Sequence, residues 1–183
     1  TFAMAWRKLA VAHPNAGQLD AAATAARAAY RHRERLTERE RYLAEAYYHR
    51  VVTLDDEARA DAYRRVLEIQ PDDPTALNNL SLFYRGRQDW ERVRELLVRA
   101  VDGPGRSNTA YLNLAVTLYD LGDPEGALAT IEMARKLYPR YSTLLQVEAE
   151  MLWGTGDHQG AIDAAGTILD VFPDDNVLRL EVL

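Results

Sequence analysis

Apolar residues recur along this chain at helical spacing, in short blocks that come in pairs. From Asn108 to Pro139 the pattern gives two amphipathic helices, about 108–121 and 124–137, separated by a Gly-Asp-Pro break. Shifted by 34 residues in either direction, the stretch nearly matches itself. Asp55, Asp89, Asp123 and Asp157 fall 34 apart, as do Val66, Ala100, Ala134 and Ile168. Pro71, Pro139 and Pro173 lie on the same grid, with Gly105 in the remaining slot. A fixed period of this size marks a solenoid, because one helix pair cannot bury its apolar stripe without neighbours.

The same reading predicts helices over 2–13 and about 19–33, then from Thr37 to about Val52, then 55 or 56 to 69. Further helices follow over 74–85, 89–101, 142–153 and 158–171, and one more opens at Asp175 or Asn176. Thr37 with Glu40 has the spacing of a capping box. Asp73-Pro74 combines a capping carboxylate with proline at the first helical place. The second unit starts 37 residues after the first rather than 34, as if the second helix ran long. No strand is predicted.

Composition refines this picture. The 183 residues include no cysteine, which excludes a disulfide frame and thiolate metal ligands. No apolar run is long enough for a membrane-spanning helix, so no membrane partner is expected, and the compartment expected is the cytoplasm. The net charge of −6 argues against nucleic acid as a partner. It is unevenly spread: residues 1–50 carry nine basic and five acidic side chains, residues 142–183 one basic and eight acidic. Such ends could favour head-to-tail contacts between copies, so a homo-oligomer is one alternative, with the apolar residues Val177, Leu178, Leu180, Val182 and Leu183 as a second point of contact.

No catalytic constellation is present. The aspartates at 34-residue intervals belong one to each helix pair, on the order of 10 Å apart, too far to share a cation, and read as turn and N-cap residues. The histidines His13, His32, His49 and His158 lack metal-ligand spacing, and there is no phosphate loop or nucleophile elbow. No enzyme, cofactor or metal is expected. The arginine-rich segment Arg27, Arg31, Arg33, Arg35, Arg39 and Arg41 interleaves with Glu34, Glu38 and Glu40, which predicts surface ion pairs.

The 34-residue unit with small residues at set places and a closing proline resembles the tetratricopeptide repeat. Leu77, Leu80, Ser81, Tyr84, Val93, Leu97 and Ala100 carry the likeness in one unit; Tyr111, Leu114, Ala115, Leu118, Ala127, Ile131, Ala134 and Pro139 carry it in the next. Repeats are assigned at about 3–39, 40–73, 74–107, 108–141 and 142–175, with a partial or capping helix at 176–183, all in one array over 1–183. The unit 40–73 departs from the pattern at Arg59. The segment Leu36 to Arg41 with Tyr47-Tyr48 is also similar to repeat arrays fused to bacterial serine/threonine kinases, adenylate cyclases and transcriptional regulators. The resemblance implies an all-α, right-handed superhelical solenoid whose first helices line a concave face. It further implies a protein–protein interaction module, scaffold or regulatory in role, binding an extended peptide on that face. The family's asparagine at the sixth place of the first helix falls on Asn79 and Asn113, where one amide can pair with a peptide unit. The other units hold Lys8, Glu45 and Val147 there. Asn78, Arg85, Tyr119, Tyr48 and Trp153 complete the expected ligand-binding set.

Overall fold

The computed structural model describes residues 19–171. Among these, every regular element is helical. The chain runs α1 (Leu19–Arg31), a 3-10 turn (Arg33–Arg35), α2 (Glu38–Tyr48), a π-helical turn (His49–Thr53), α3 (Asp56–Ile69), α4 (Pro74–Arg85), α5 (Trp90–Asp102), α6 (Asn108–Asp120), α7 (Pro124–Leu137), α8 (Ser142–Gly154) and α9 (His158–Val171). The helices expected at 2–13 and 176–183 lie outside the described residues. The chain divides into two compact units, residues 1–105 and 106–183, at the end of the Gly103-Pro104-Gly105 break.

Helices α2 to α7 and α9 begin where the sequence supplies a side-chain acceptor, whereas α8 starts after Tyr141 without one. Thr37 and Glu40 form the capping box. The side chains of Asp55, Asp89, Asp123 and Asp157 each accept the amide three residues on, opening α3, α5, α7 and α9. The aspartate series is therefore cap chemistry, one per pair. Asp73 and Ser107 cap α4 and α6 in the same way. Small and large residues alternate in the core of each unit: Leu77, Val66 and Ala100 are buried in the first, and Tyr111, Ile131, Ala134 and Ile168 in the second. Arg59, the departure from the repeat pattern, stays half-buried and pairs with Asp56 at 3.1 Å.

Two local features differ from the sequence expectation. The helix predicted to reach Val52 is α-helical only to Tyr48 and closes in a π turn, with Asp55 N–H donating to the His49 carbonyl at 3.1 Å. Consecutive β-branched residues at 51–53 crowd an α turn; the wider turn lets Val51 and Val52 pack on Ala25, Ala26 and Tyr47. The long second helix resolves into α1 plus the 3-10 turn, so the three additional residues are Arg33, Glu34 and Arg35.

A left-handed residue precedes each of the recurring aspartates. Leu54 (φ 54°), Gln88 (φ 59°), Gly122 (φ 81°) and Gly156 (φ 87°) occupy equivalent places. Glycine adopts this conformation without strain, and a side chain does not. A Cβ on Gly122 would meet nothing within 4 Å, so the demand there is conformational rather than steric.

Successive first helices are tied by charge in the first unit. Arg39, in the first turn of α2, donates its Nε–H to Asp73 Oδ2 at 2.6 Å, and its terminal nitrogen reaches the same oxygen. Asp73 is wholly buried, and its Oδ1 accepts Ala76 N–H at 2.8 Å. One carboxylate thus starts α4 and anchors α2, so both of its oxygens are satisfied without water.

Arg39→Met strands that carboxylate and should cost about 3 kcal/mol, the low end for a broken buried pair because the arginine is itself a third exposed. Asp73→Asn keeps a good cap and should cost less, about 1.5–2 kcal/mol. Urea unfolding of both variants checks the order. The turn residues should give opposite signs in the same assay: Gly122→Ala loses about 1 kcal/mol, whereas Leu54→Gly gains about 0.5 kcal/mol, its relief of strain partly offset by chain entropy.

Candidate functional site

In the second unit, α6 and α8 each carry a stripe that lies outside the buried core. On α6 it consists of Leu112, Asn113, Val116 and Tyr119, all half-buried. On α8 it runs through Thr143, Gln146 and Val147 to Glu150 and Trp153, which are exposed. The spacing of three and four residues keeps each stripe on one face of its helix. Tyr119 reaches across to the end of α8, where its hydroxyl lies so close to Gly154 that a Cβ there would collide with it. Three of the predicted site residues, Asn113, Tyr119 and Trp153, are therefore gathered in this unit. Trp153 leans on the His158 ring, 4.4 Å between centroids, and remains 60% exposed.

An open cleft of about 710 Å³ lies beside Trp153, bounded by Gln146, Ala149 and Glu150 of α8 and by Ala161, Ile162, Ala165 and Ile168 of α9. Its lining is an apolar floor with one indole wall, one amide and one carboxylate. Such a surface can bury apolar side chains and orient them with a few polar contacts. It offers no base paired to a nucleophile and no phosphate cradle. Among the described residues no three histidines or carboxylates gather as metal ligands. Sequence reasoning missed Gln146, Glu150, His158 and Ile162; the signal was the coincidence of small residues at 149, 161 and 165 with an exposed Trp153 and Ile162.

In the first unit, Asn78, Asn79 and Arg85 share α4, with Leu82 exposed between them. Asn79 donates its amide N–H to the Thr75 carbonyl at 2.8 Å, one turn back on its own helix. That bond uses one of the two amide N–H groups and leaves the other, with the carbonyl acceptor, for an outside partner. Tyr48 sits apart from this group. Its ring stacks on Tyr30 at 4.1 Å with 18° between planes, and His49 stands edge-on to both rings. It is a half-buried packing residue between α1 and α2.

The electrostatics of α8 bear on its inner side. Glu148 receives two bonds from an Arg135 nitrogen, at 3.0 and 2.7 Å. Burial raises its carboxyl above the usual range, and Arg135 opposes that rise. The folded chain therefore takes up this proton before the unfolded chain does. From this group alone, stability grows as pH falls through the raised midpoint and is lower above it. A titration followed by carboxyl NMR should find the Glu148 midpoint above that of the exposed glutamates, and Arg135→Gln should raise it further. A midpoint in the ordinary range near 4.3 would contradict the burial.

Residues 78–142 match the tetratricopeptide repeat family. No curated protein matches the sequence. Among solved structures the chain is similar to TTC0263, a thermophilic TPR protein of Thermus thermophilus, with 19% identity, coverage of 98% of this chain and 96% of that one, and a TM-score of 0.77. PilW, a type IV pilus biogenesis factor, shares 16% identity over 98% of this chain and 84% of its own, with a TM-score of 0.74. The Pseudomonas aeruginosa protein PilF gives 17% identity, 93% and 76% coverage and a TM-score of 0.70. At these identities the likeness is one of fold. That fold generally serves protein–protein interaction rather than catalysis, and among the described residues no helix is long and apolar enough to cross a membrane. Capped helix pairs at a 34-residue period, a tetratricopeptide-repeat match over residues 78–142 and structural neighbours alike over nearly the whole length show that this chain has the fold of tetratricopeptide-repeat proteins.

Proposed function

We propose that the chain is a single array that binds an extended segment of a partner protein along the faces of its first helices. Its role on this reading is that of a scaffold or regulatory part of a larger bacterial signalling protein, working in the cytoplasm. The observation that carries the proposal is the stripe on α6 and α8, where Asn113, Tyr119 and Trp153 stand partly open beside apolar neighbours. Aromatic side chains give large contact area at small entropic cost and are the usual anchors of such surfaces. Asn113 would bond the backbone of a segment bound on the second unit, and Asn79 and Arg85 on α4 would offer like contacts on the first. Asn79 would contribute through its acceptor and its second amide N–H. Similarity to TTC0263 and PilF, both from bacteria, supports the bacterial assignment.

A second reading, self-association through exposed apolar surface, draws on Trp153 and Ile162, which are 60% and 59% exposed.

Selection of a displayed library of unstructured peptides on the full chain tests the first reading. Enriched peptides should bind the wild type and lose at least about tenfold affinity to Tyr119→Ala/Trp153→Ala. Asn79→Ala should cost about two- to tenfold, the worth of one hydrogen bond. Peptides that bind both chains equally would place recognition on another surface. A chain that enriches nothing yet dimerises in light scattering, and reverts to monomer with Trp153→Ala/Ile162→Ala, would establish the second reading instead.

A further inference from the structure

The arginine-rich segment does not behave as one set. Arg33 is held on three sides: its Nε–H donates to Glu45 at 3.1 Å, a terminal N–H donates to the Tyr30 carbonyl at 2.9 Å, and its guanidinium lies 4.0 Å over the Tyr30 ring. Arg39 is taken by Asp73. Arg41 lies within 3.7 Å of both Glu34 and Glu38. Of the ion pairs expected with the interleaved glutamates, those of Arg41 with Glu34 and Glu38 and a long one of Arg33 with Glu34 at 3.8 Å form, while Arg33 and Arg39 make their short bonds to Glu45 and Asp73 instead. Arg27, Arg31 and Arg35 are exposed, and no carboxylate among the described residues lies within ion-pair reach of them.

Their placement follows from the fold. The alanine face of α1, with Ala22, Ala25, Ala26 and Ala29, is buried, which turns Arg27 and Arg31 outward one helical turn apart. The additional 3-10 turn adds a third exposed arginine, Arg35, four residues further on. Arg33 pins that turn from within, so the residues on either side of it are held in place without being consumed. Three exposed guanidiniums at four-residue intervals make a positive strip on a chain whose net charge is −6.

We infer that this strip, Arg27, Arg31 and Arg35 on α1 and the inserted 3-10 turn, is a docking surface for an acidic segment of a protein partner. A guanidinium offers a planar fork that matches a carboxylate, and carboxylates one helical turn apart have the same rise as Arg27 and Arg31. A polynucleotide fits less well. It would run past the strip onto the exposed carboxylates of Asp20, Glu34 and Glu38 and meet a chain of the same sign. A short run of carboxylates can end where the strip ends and so meets fewer of those acidic side chains, the remoter ones being screened beyond about 8 Å at physiological salt. The surface is separate from the stripe on α6 and α8, so either can fail without the other.

Fluorescence anisotropy of a labelled decaglutamate peptide with the full chain tests the inference. Arg27→Gln/Arg31→Gln/Arg35→Gln should weaken binding at least about tenfold. The control Arg94→Gln/Arg106→Gln/Arg140→Gln removes the same charge from exposed arginines elsewhere and should change it less than about twofold. Equal loss in both would show that net charge alone attracts the peptide and would overturn the strip, as would an absence of binding at low salt. Deca-thymidylate that binds more tightly than decaglutamate, and is lost with the same three substitutions, would overturn the assignment to an acidic protein. Glutamines at exposed helical positions keep the fold, and an unchanged melting temperature confirms it in the same samples.

Discussion

The first amides of a helix have no partner within it, and each pair in this chain depends on a side chain that supplies one at a fixed place. Asp55, Asp89, Asp123 and Asp157 do so for the second helices, and Thr37, Asp73 and Ser107 for first helices. The period of the sequence is thus a period of capping as much as of burial. With the helix ends fixed, the apolar stripes come into register, and each pair has a defined face to set against the next. Asp73 carries the constraint furthest. It caps α4 and holds Arg39 of α2, so that a local hydrogen bond and a contact across 34 residues share one buried carboxylate.

Charge does two kinds of work in the same short segment. Where a carboxylate is near and solvent is partly excluded, as with Arg33 and Glu45 or Arg135 and Glu148, an arginine ties one helix to another. Where no carboxylate faces it, the same residue type stays available on the surface. The difference lies in which face of the backbone the residue occupies. In the 3-10 turn, Arg33 and Arg35 are two positions apart and have opposite fates.

Helix limits and caps were legible in the sequence because they rest on interactions between residues three or four apart. The predicted α3, α4, α7 and α9 agree with the observed ones to within a residue. The π turn was not legible, because it arises from packing of Val51 and Val52 on a helix some 25 residues earlier in the chain. Nor was the state of Asn79, whose amide turns back to Thr75, a choice between two equally reachable partners. Tyr48 reads as an open aromatic anchor until its stacking partner Tyr30 is known. The periodic grid located a helix face; it could not tell which side chains on that face were already engaged.

Gly154 has a consequence beyond its own turn. Tyr119 of α6 rests where a side chain at 154 would stand, so the gap between the ends of α6 and α8 is gauged by a missing carbon atom. The width of the strip that the two helices present is therefore a heritable dimension, open to change at one codon. A repeat protein can retune what fits its surface in this way while leaving every residue that would touch the guest unaltered.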